Sequence, residues 1–302
     1  MADAAGRWII RNSVCAHSRL CPAGADGLKP AAPNVATPQN NSGESPALPV
    51  SIAIVTLNEE ANLPRLLASV RGLAGEIVIV DSGSADRTAA LAEESGARFE
   101  VAAWSGFIAQ KNRALALCTQ PWVLFLDADE ALSPELADAL RGLFANGRTP
   151  TGDGFFLNRR TWYLGAWIWH AWYPEWRLRL LRRGAGRWGG LDPHAKLEVA
   201  GPTTRLGGDL LHYSFRDLQD HLERTIRYSH TMADSFAARG KVFRWHYLVL
   251  SPWVAVFKHL VLKQGWRDGW RGWLVSLIRG IDVFAKYAFL LEKKLTGSTD
   301  RK

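Results

Sequence analysis

The sequence predicts an α/β protein with a doubly wound, mostly parallel sheet, followed by a helical extension. Three observations predict this class. Short β-rich runs alternate with helical stretches between position 50 and about position 145, which is the pattern of a parallel sheet with crossover helices. Two of these runs end in carboxylates, at Asp81 and at Asp127. From Asp217 to Lys294 the pattern is helical, with no further β-rich runs.

The elements of the α/β part follow from hydrophobic spacing and from turn residues. Residues 1–47 are rich in Ala, Pro, Gly, Asn and Ser without a period, which predicts a disordered N-terminal tail. Ser133 and Pro134 are typical of the cap and first position of a helix. The other predicted strands and helices are, in chain order, Val50–Leu57, Glu59–Leu73, Ile77–Val80, Asp86–Ser95, Phe99–Val101, Phe107–Cys118 and Pro121–Leu126.

Composition limits the domain organisation. A chain of 302 residues with 47 % hydrophobic residues can form one large domain with an appendage, or two domains. We predict a tail at 1–47, an α/β domain at 48–215 and a basic, Trp-rich helical extension at 216–302. The segment 152–213 is irregular and aromatic. The three Cys have neither a disulfide framework nor zinc spacing, which predicts a reducing compartment.

The strongest candidate site is Asp127-Ala-Asp129, directly after the apolar run 122–126. Ligands of open parallel sheets bind at the carboxyl ends of the strands. Two aspartates at i and i+2 can share a hard divalent cation, which commonly also binds phosphate oxygens. We therefore predict Asp129 as a ligand of Mg²⁺ or Mn²⁺, and Asp127 as a contact to ribose or, through water, to the metal. The sequence does not distinguish the two cations.

Three further groups are expected at the same edge of the sheet. Thr56, Asn58 and Glu59 follow the first strand and could meet a base or ribose, although Asn58 could simply cap a helix. The run Asp81-Ser82-Gly83 has small residues that allow close backbone approach to a ligand, although an ordinary turn would also contain them. Gln110 and Lys111 could reach a phosphate, although such residues usually form a solvated helix face.

These motifs stand in an order and at spacings that resemble the family 2 glycosyltransferases, which have the GT-A fold with a Rossmann-like nucleotide-binding half. The resemblance covers residues 50–145 closely. Shorter motifs resemble a bacterial branch that builds lipopolysaccharide core and related glycans: Tyr173-Pro174-Glu175, Pro193-His194, Leu211-His212-Tyr213-Ser214 and Gly265-Trp266-Arg267-Asp268-Gly269. The resemblance implies a nucleotide-sugar donor, a divalent cation and an inverting, single-displacement transfer to a lipid-linked saccharide.

The resemblance also suggests roles in the later segment. Glu175 is the candidate base, and we expect its aromatic neighbours to raise its pKa by desolvation. The alternative is that Glu175 only pairs with Arg177 or Arg179. His194 and His212 are candidates for a further metal ligand, with His194 preferred. Arg179 could clamp the donor phosphate or an anionic acceptor.

The helical extension predicts contact with an anionic membrane surface. Residues 216–302 contain 16 Lys and Arg against 8 Asp and Glu, interleaved with Trp and Leu. No stretch has the length of a spanning helix and no secretory signal is evident, so we expect a peripheral protein on the cytoplasmic face of the membrane. A nucleic-acid partner is disfavoured because no recognition motif is present. A helical subdomain or a dimer interface remains the alternative, and the oligomeric state is open.

Three other functions are compatible with parts of this pattern. A polyprenyl-phosphate glycosyltransferase would use a phosphate acceptor and would need no dedicated base. A nucleotidyltransferase would normally have a Gly-rich loop with a basic residue after the first strand, which Thr56 to Glu59 lacks. A non-catalytic membrane-bound scaffold would have no need of the Asp127 and Asp129 pair.

Overall fold

The α/β prediction is confirmed by the structure, a computed structural model that describes residues 46–191 and 194–299. The predicted tail lies outside these residues except for its last two positions, and the boundary predicted at 215/216 stays a prediction. The strands are β1 Leu48–Thr56, β2 Ala74–Asp81, β3 Arg98–Val101, β4 Trp122–Asp127, β5 Glu130–Leu132, β6 Gly154–Tyr163, β7 Ala166–Trp167, β8 Glu175–Arg182, β9 Gly186–Leu191, β10 His194–Val199 and β11 Thr203–His212.

Nine of the described strands form one central sheet. Its order is β3-β2-β1-β4-β8-β6-β11-β5, with β7 paired to β6, while β9 and β10 form a separate antiparallel pair. The first four strands in this order are parallel to one another. Strand β8 is antiparallel to both β4 and β6, and β11 is parallel to β6. The doubly wound parallel half therefore continues into a mixed half.

The pairing of the parallel strands places the predicted site residues close together at the edge of the sheet where these strands end. Thr56 of β1 pairs with Asp81 of β2, and Val55 of β1 pairs with Asp127 of β4. Parallel strands run in the same direction, so their carboxyl ends reach the same side of the sheet. The side chains of Thr56, Asp81 and Asp127 are consequently delivered to one edge by three adjacent strands.

Both faces of the parallel half are buried, which explains its continuous apolar runs. Successive side chains of a strand point to opposite faces. Ile52 and Ile54 pack with Leu66 on one face, while Ala53 and Phe125 pack with other residues on the opposite face. Two cores of alternating residues thus fix the strand positions from both sides.

The irregular segment is the main difference from the predicted elements, because it contains strands β6 to β11. The simple alternation of apolar and polar residues is broken here by polar side chains that are buried in networks. Asn158 and Thr161 of β6 are buried, and so is Arg179 of β8. Where strands bury polar side chains, apolar and polar residues no longer alternate with a period of two. The sequence pattern therefore does not reveal strands β6 to β11.

The helices of the α/β part are shorter than predicted. Ser133 caps the helix that begins at Pro134 by accepting a hydrogen bond from the Leu136 N–H at 3.2 Å, as expected. The first helix begins only at Leu63, because Asn58 has a left-handed φ of 56° and residues 59–62 form a turn. The helices are α1 Leu63–Val70, α2 Thr88–Glu94, α3 Phe107–Leu117 and α4 Pro134–Leu143.

The predicted helical extension is also confirmed. It comprises α5 Leu218–Ala238, α6 Trp245–Val249, α7 Ser251–Phe257 and α8 Gly269–Thr299, with a π-helical turn at Lys258–Leu262 and a 3₁₀ turn at Gly265–Asp268. Ala233 of α5 packs with Val283, Tyr287 and Leu290 of α8. Val275 of α8 packs against Tyr163 at the end of β6, so this helix also contacts the sheet part. Among the described helices, none combines the length and the hydropathy that a membrane crossing requires.

Candidate functional site

The carboxylate of Asp81 organises the loop after β2. Its Oδ1 accepts hydrogen bonds from the N–H groups of Gly83 at 2.8 Å and Ser84 at 2.6 Å. Its Oδ2 accepts from the hydroxyls of Thr56 at 2.7 Å and Ser84 at 2.6 Å. Gly83 has a φ of 96°, a conformation that favours glycine. Asp81 is thus already saturated within the loop, and its predicted contact to a base or ribose stays a prediction.

Asn58 and Glu59 hold the same loop from the side of β1. The Asn58 Oδ1 accepts the Ala85 N–H at 2.9 Å, and the Asn58 N–H donates to the Ser84 hydroxyl at 2.8 Å. Asn58 therefore braces the loop and does not cap α1. The Glu59 N–H donates to the Thr88 hydroxyl at 2.8 Å. Burial raises the pKa of the Glu59 carboxyl, and nearby Asp129 adds to that rise.

Gln110 and Lys111 are buried in the described structure, so they are not a solvated helix face. The Gln110 amide donates to the carbonyls of Ala102 at 2.9 Å and Ala103 at 3.0 Å, with a longer contact of 3.3 Å to the Ser82 hydroxyl. It joins α3 to the end of β3. Lys111 points to the strand exit of β4 instead, with its Nζ 4.3 Å from the centre of the Trp188 ring.

Two cations hold Asp127 at the end of β4. The Lys111 Nζ lies 2.7 Å from its Oδ1, and the Arg179 guanidinium contacts its Oδ2. Burial opposes ionisation of this carboxyl, but Arg179 and Lys111 outweigh burial and hold the pKa of Asp127 well below its usual range. Its side chain remains 28 % exposed, so an anionic Asp127 is presented at the sheet edge.

Glu130 completes this network beneath the edge. Its fully buried carboxylate accepts from the Arg179 Nη2 at 2.6 Å and lies 3.5 Å from the Arg159 Nη1. Its Oε2 accepts the backbone N–H of Asp127 at 3.0 Å. The expected clamp on a ligand by Arg179 stays a prediction, because in this structure its guanidinium is engaged by Asp127 and Glu130.

Asp129 lies beside His212, the less favoured of the two histidines predicted as metal ligands. The His212 Nε2 is 3.4 Å from the Asp129 Oδ2, and the other ring nitrogen of His212 is 3.2 Å from the Thr161 hydroxyl. Burial opposes ionisation of Asp129, but His212 outweighs it and lowers the pKa of this carboxyl. A carboxylate oxygen suits Mg²⁺ or Mn²⁺, and a neutral imidazole nitrogen is a common metal ligand, so the two side chains could serve as a donor pair for one divalent cation.

The predicted metal role of His194 is not tested by the structure. The backbone of His194 begins β10, and its side chain lies outside the described residues. Within residues 46–191 and 194–299, no cluster of three or more His, Cys, Asp or Glu side chains is arranged to hold a metal ion. Asp129 and His212 would supply two protein ligands, and a diphosphate would have to supply others.

The expected rise in the pKa of Glu175 is wrong. Burial does raise it, but Arg159 and Arg177 outweigh burial and lower the pKa of Glu175 to about 2. The Arg159 Nε lies 2.8 Å from its Oε2, and the Arg177 guanidinium contacts its Oε1. Arg159 contacts both Glu175 and Glu130, and it is not among the site residues predicted from the sequence. In the sequence Arg159 stands in the polar run Asn158-Arg159-Arg160-Thr161 of β6, which does not single it out.

A cavity of about 520 Å³ separates the sheet edge from the helical extension. Arg159, Glu175 and His212 line it on the sheet side, and residues of α5 and α8 line the opposite side. Asp268 fixes this arrangement, because its carboxylate accepts the backbone N–H groups of Trp169, His170 and Ala171 at 2.8–3.0 Å. A second substrate could enter next to the Asp129–His212 pair.

Replacing Arg179 by Met is expected to lower the free energy of unfolding by about 3–5 kcal/mol, because it leaves the buried Glu130 and the partly exposed Asp127 without their shared cation. Arg177→Met is the matched control. Arg177 is on the same strand and its side chain is 46 % exposed, so its loss should cost less than about 1 kcal/mol. Urea denaturation of both variants checks this, and equal losses would contradict the described network.

Comparison with known proteins gives the same family as the motifs. The model of glycosyl transferase family 2 matches residues 51–195. A lipopolysaccharide core biosynthesis glycosyltransferase, LpsC of Rhizobium meliloti (strain 1021), is 35 % identical over 266 residues, which cover 83 % of this chain and 93 % of LpsC. An uncharacterized glycosyltransferase of Rickettsia typhi, RT0209, is 27 % identical over 82 % of this chain and 88 % of its own length.

Solved structures show weaker likenesses. TarS residues 1–349 of S. aureus, crystallised with UDP, align at a TM-score of 0.40 and 14 % identity over 82 % of this chain and 91 % of that one. Glucosyl-3-phosphoglycerate synthase of Mycobacterium tuberculosis, in complex with Mn²⁺, UDP and glucosyl-3-phosphoglycerate, aligns at a TM-score of 0.28. It is 27 % identical over 38 % of this chain and 44 % of that one.

Proposed function

This chain belongs to glycosyl transferase family 2, and we propose that it is an inverting, metal-dependent enzyme of lipopolysaccharide core or related envelope glycan assembly. It would move a sugar from a nucleotide-sugar donor to a hydroxyl of a lipid-linked saccharide. The similarity to LpsC supports this substrate class, because it extends over most of both chains. The remaining support comes from the geometry of the sheet edge.

The observation that carries the proposal is the meeting of Asp127, Asp129 and His212 at the end of β4. The Asp81 loop follows β2, which is separated from β4 by β1, and the Asp129 side chain lies 3.4 Å from that of His212, which lines the cavity. A nucleoside diphosphate would have its nucleoside at the Thr56 to Gly83 side and its phosphates near Asp129. This order follows the sheet, in which β2 and β4 flank β1.

The proposed chemistry is a single displacement. The acceptor hydroxyl oxygen forms a bond to the anomeric carbon while the bond from that carbon to the diphosphate breaks, so the configuration inverts. Asp129 and His212 would hold the divalent cation, which when bound offsets the charge of the departing diphosphate. Lys111 and Arg179 keep Asp127 ionised and fixed, and the cavity orients the acceptor on the opposite face of the sugar.

Glu175 is the proposed base. It lines the cavity, and its two arginine partners keep it ionised at neutral pH, so its carboxylate can accept the proton from the hydroxyl. A carboxylate with so low a pKa is a weak base. Binding of the acceptor would have to loosen the contact to Arg177 or Arg159, which would raise the pKa of Glu175 toward the working pH.

A polyprenyl-phosphate glycosyltransferase is the second candidate. The observation that favours it is the pKa of about 2 of Glu175, since a phosphate acceptor is already ionised and needs no base. The assignment can be tested by incubating the enzyme with labelled nucleotide sugars and two acceptors, a truncated lipopolysaccharide core and a polyprenyl phosphate. We expect label in the core, with inverted anomeric configuration by NMR. Label only in the polyprenyl product would overturn the main proposal.

The extension is proposed to bind an anionic membrane surface. Large exposed apolar side chains form a face on the extension, and Trp253 among them is 70 % exposed. This face comprises α6, α7, the two turns between α7 and α8, and the start of α8. Its other members include Trp245, Leu250, Phe257, Leu262, Trp266, Trp270 and Trp273. Exposed Lys258 and Arg267 lie within it. Apolar side chains beside cations fit the boundary of an anionic bilayer, which would place the protein on the cytoplasmic face of the membrane.

Exchanging both Trp253 and Trp270 for Ser is expected to weaken binding to phosphatidylglycerol vesicles at least about tenfold, because each buried indole contributes more than 1.4 kcal/mol. Trp104→Ser is the control, since Trp104 is 51 % exposed but lies outside this face. Vesicle sedimentation at several salt concentrations measures the effect. If the double variant and Trp104→Ser bind the vesicles equally well, the apolar face is instead assigned to a subdomain or dimer contact.

A further inference from the structure

The cavity between the sheet edge and the helical extension carries more positive than negative charge. Arg159, Lys263, Arg279 and Lys286 line it, against only Glu175 and Asp282. The two carboxylates are already engaged. Glu175 is paired with Arg159 and Arg177, and Asp282 is paired with Arg279 and accepts from the Ser229 hydroxyl at 2.7 Å. The surplus charge therefore belongs to Lys263 and Lys286.

Neither lysine has a carboxylate partner among the described residues. The Lys263 Nζ has one long contact of 3.4 Å to the Ala171 carbonyl. The Lys286 Nζ lies 5.6 Å from the centre of the Tyr287 ring and 5.7 Å from that of Phe236. Burial lowers the pKa of both ammonium groups, and it outweighs the opposing charges of Glu175 on Lys263 and of Asp282 on Lys286, neither of which forms an ion pair with its lysine. An anion in the cavity would supply a counter-charge in direct contact.

The placement of these lysines connects them to the acceptor. Lys286 follows Arg279 and Asp282 at helical spacing, so all three lie on the cavity face of α8. Lys263 lies after the π-helical turn and also lines the cavity, where the carboxylate of Glu175 influences its pKa. Glu175 and His212 line the sheet side of the same cavity, so a ligand that contacts the lysines is held next to the proposed reaction centre.

We propose that Lys263 and Lys286 form an anion subsite, and that the acceptor saccharide carries a carboxylate or phosphate group that they bind. This inference rests on the proposed function, because it assigns the cavity to the acceptor. The apolar residues Trp172 and Phe215, which also line the cavity, would contact the apolar face of the sugar ring. The charged group fixes the acceptor, and the hydroxyl that reacts is then directed to Glu175.

The test uses the full chain with UDP and Mg²⁺ and three probes that share one ring: methyl glucoside, methyl glucuronide and methyl glucoside 6-phosphate. Saturation-transfer NMR gives their affinities. We expect the anionic probes to bind about tenfold more tightly than the neutral one, as for a charge-assisted hydrogen bond. Lys263→Met and Lys286→Met should each remove most of this preference, whereas Lys294→Met, on the exposed end of α8, should keep it. Comparison of the two anionic probes distinguishes carboxylate from phosphate.

Binding of UDP, followed by thermal shift in the same samples, separates the possible failures. If UDP shifts the melting temperature and the three sugars bind alike, the anion subsite is wrong and the proposed function stands. A preference that survives in both Lys→Met variants also refutes the subsite. If UDP, GDP and CMP, each tested in the same way, all produce no shift, the proposed function itself fails, and the inference fails with it.

Discussion

Asp129→Ala is expected to lower the rate of sugar transfer about 1,000-fold, which corresponds to about 4 kcal/mol of lost transition-state stabilisation. The Asp129 carboxylate lies 3.4 Å from His212, and together they are the described donor pair for the cation. Its pKa is lowered by His212 against the effect of burial, so it is ionised at neutral pH and ready to bind. Without the Asp129 carboxylate the protein would hold the cation less tightly, and the departing diphosphate would lose its main counter-charge.

Asp138→Ala is the control for this substitution. Asp138 lies on α4, its side chain is 77 % exposed and its pair with Arg141 is a surface pair, so activity and stability should stay near the parent values. Rates are measured with saturating donor and with several concentrations of Mn²⁺. An Asp129→Ala enzyme that keeps more than about a tenth of the activity would rule out the donor pair as the metal site.

Glu175→Gln is expected to reduce the turnover number by a factor of about 10²–10⁴, the usual contribution of a general base, with little change in donor binding. The amide keeps the size of the side chain but cannot accept the proton. Arg159 retains Glu130 as a partner, so the network beneath the sheet edge is preserved. The loss should therefore be catalytic rather than structural, which a circular dichroism melt can verify.

Glu223→Gln provides the comparison, because Glu223 is exposed on α5 and lies away from the cavity lining. It should have parent-like turnover. If Glu175→Gln loses less than about threefold, no proton transfer by this residue limits the reaction. That outcome would favour the phosphate acceptor of the polyprenyl-phosphate alternative, which the low pKa of Glu175 already makes chemically consistent.

The parallel half of the fold could be predicted because its residues obey simple periodicities. Ile52, Ile54 and Leu124 are buried strand residues with apolar neighbours on both sides, and they produce the continuous runs of a covered parallel sheet. The positions of Asp81 and Asp127 at strand ends then followed from strand direction alone. The pairing of Val55 with Asp127 places them as expected.

The mixed half could not be predicted, because its polar residues form pairs between distant segments. Arg179 of β8 meets Asp127 of β4, 52 positions away, and Arg159 of β6 meets Glu175. Nothing local in the chain indicates such partners. For the same reason the sequence predicts a raised pKa for Glu175. Its aromatic neighbours are adjacent in the chain, whereas Arg159, whose charge lowers this pKa, is distant in the chain.

The contact of His212 with Asp129 illustrates the same limit, while the predicted metal role of His194 stays a prediction. Both histidines follow short motifs of similar specificity, and only the pairing of β11 with β5 and β6 brings His212 to Asp129. The exposed apolar face of the extension, in contrast, was anticipated from composition, because the excess of Trp beside Lys and Arg is local. Whether a bilayer covers that face is a question for the vesicle experiment.

The central claim is that the sheet edge binds a nucleotide sugar through a divalent cation. Thermal-shift measurements with UDP, GDP, CMP and their sugars, each with Mn²⁺, Mg²⁺ or chelator, test it most directly, because a ligand of the native state must raise the melting temperature. We predict a shift with one nucleoside diphosphate and its sugar that disappears with chelator and in Asp129→Ala. Shifts that are unaffected by chelator, or no shift with any nucleotide, would contradict the claim.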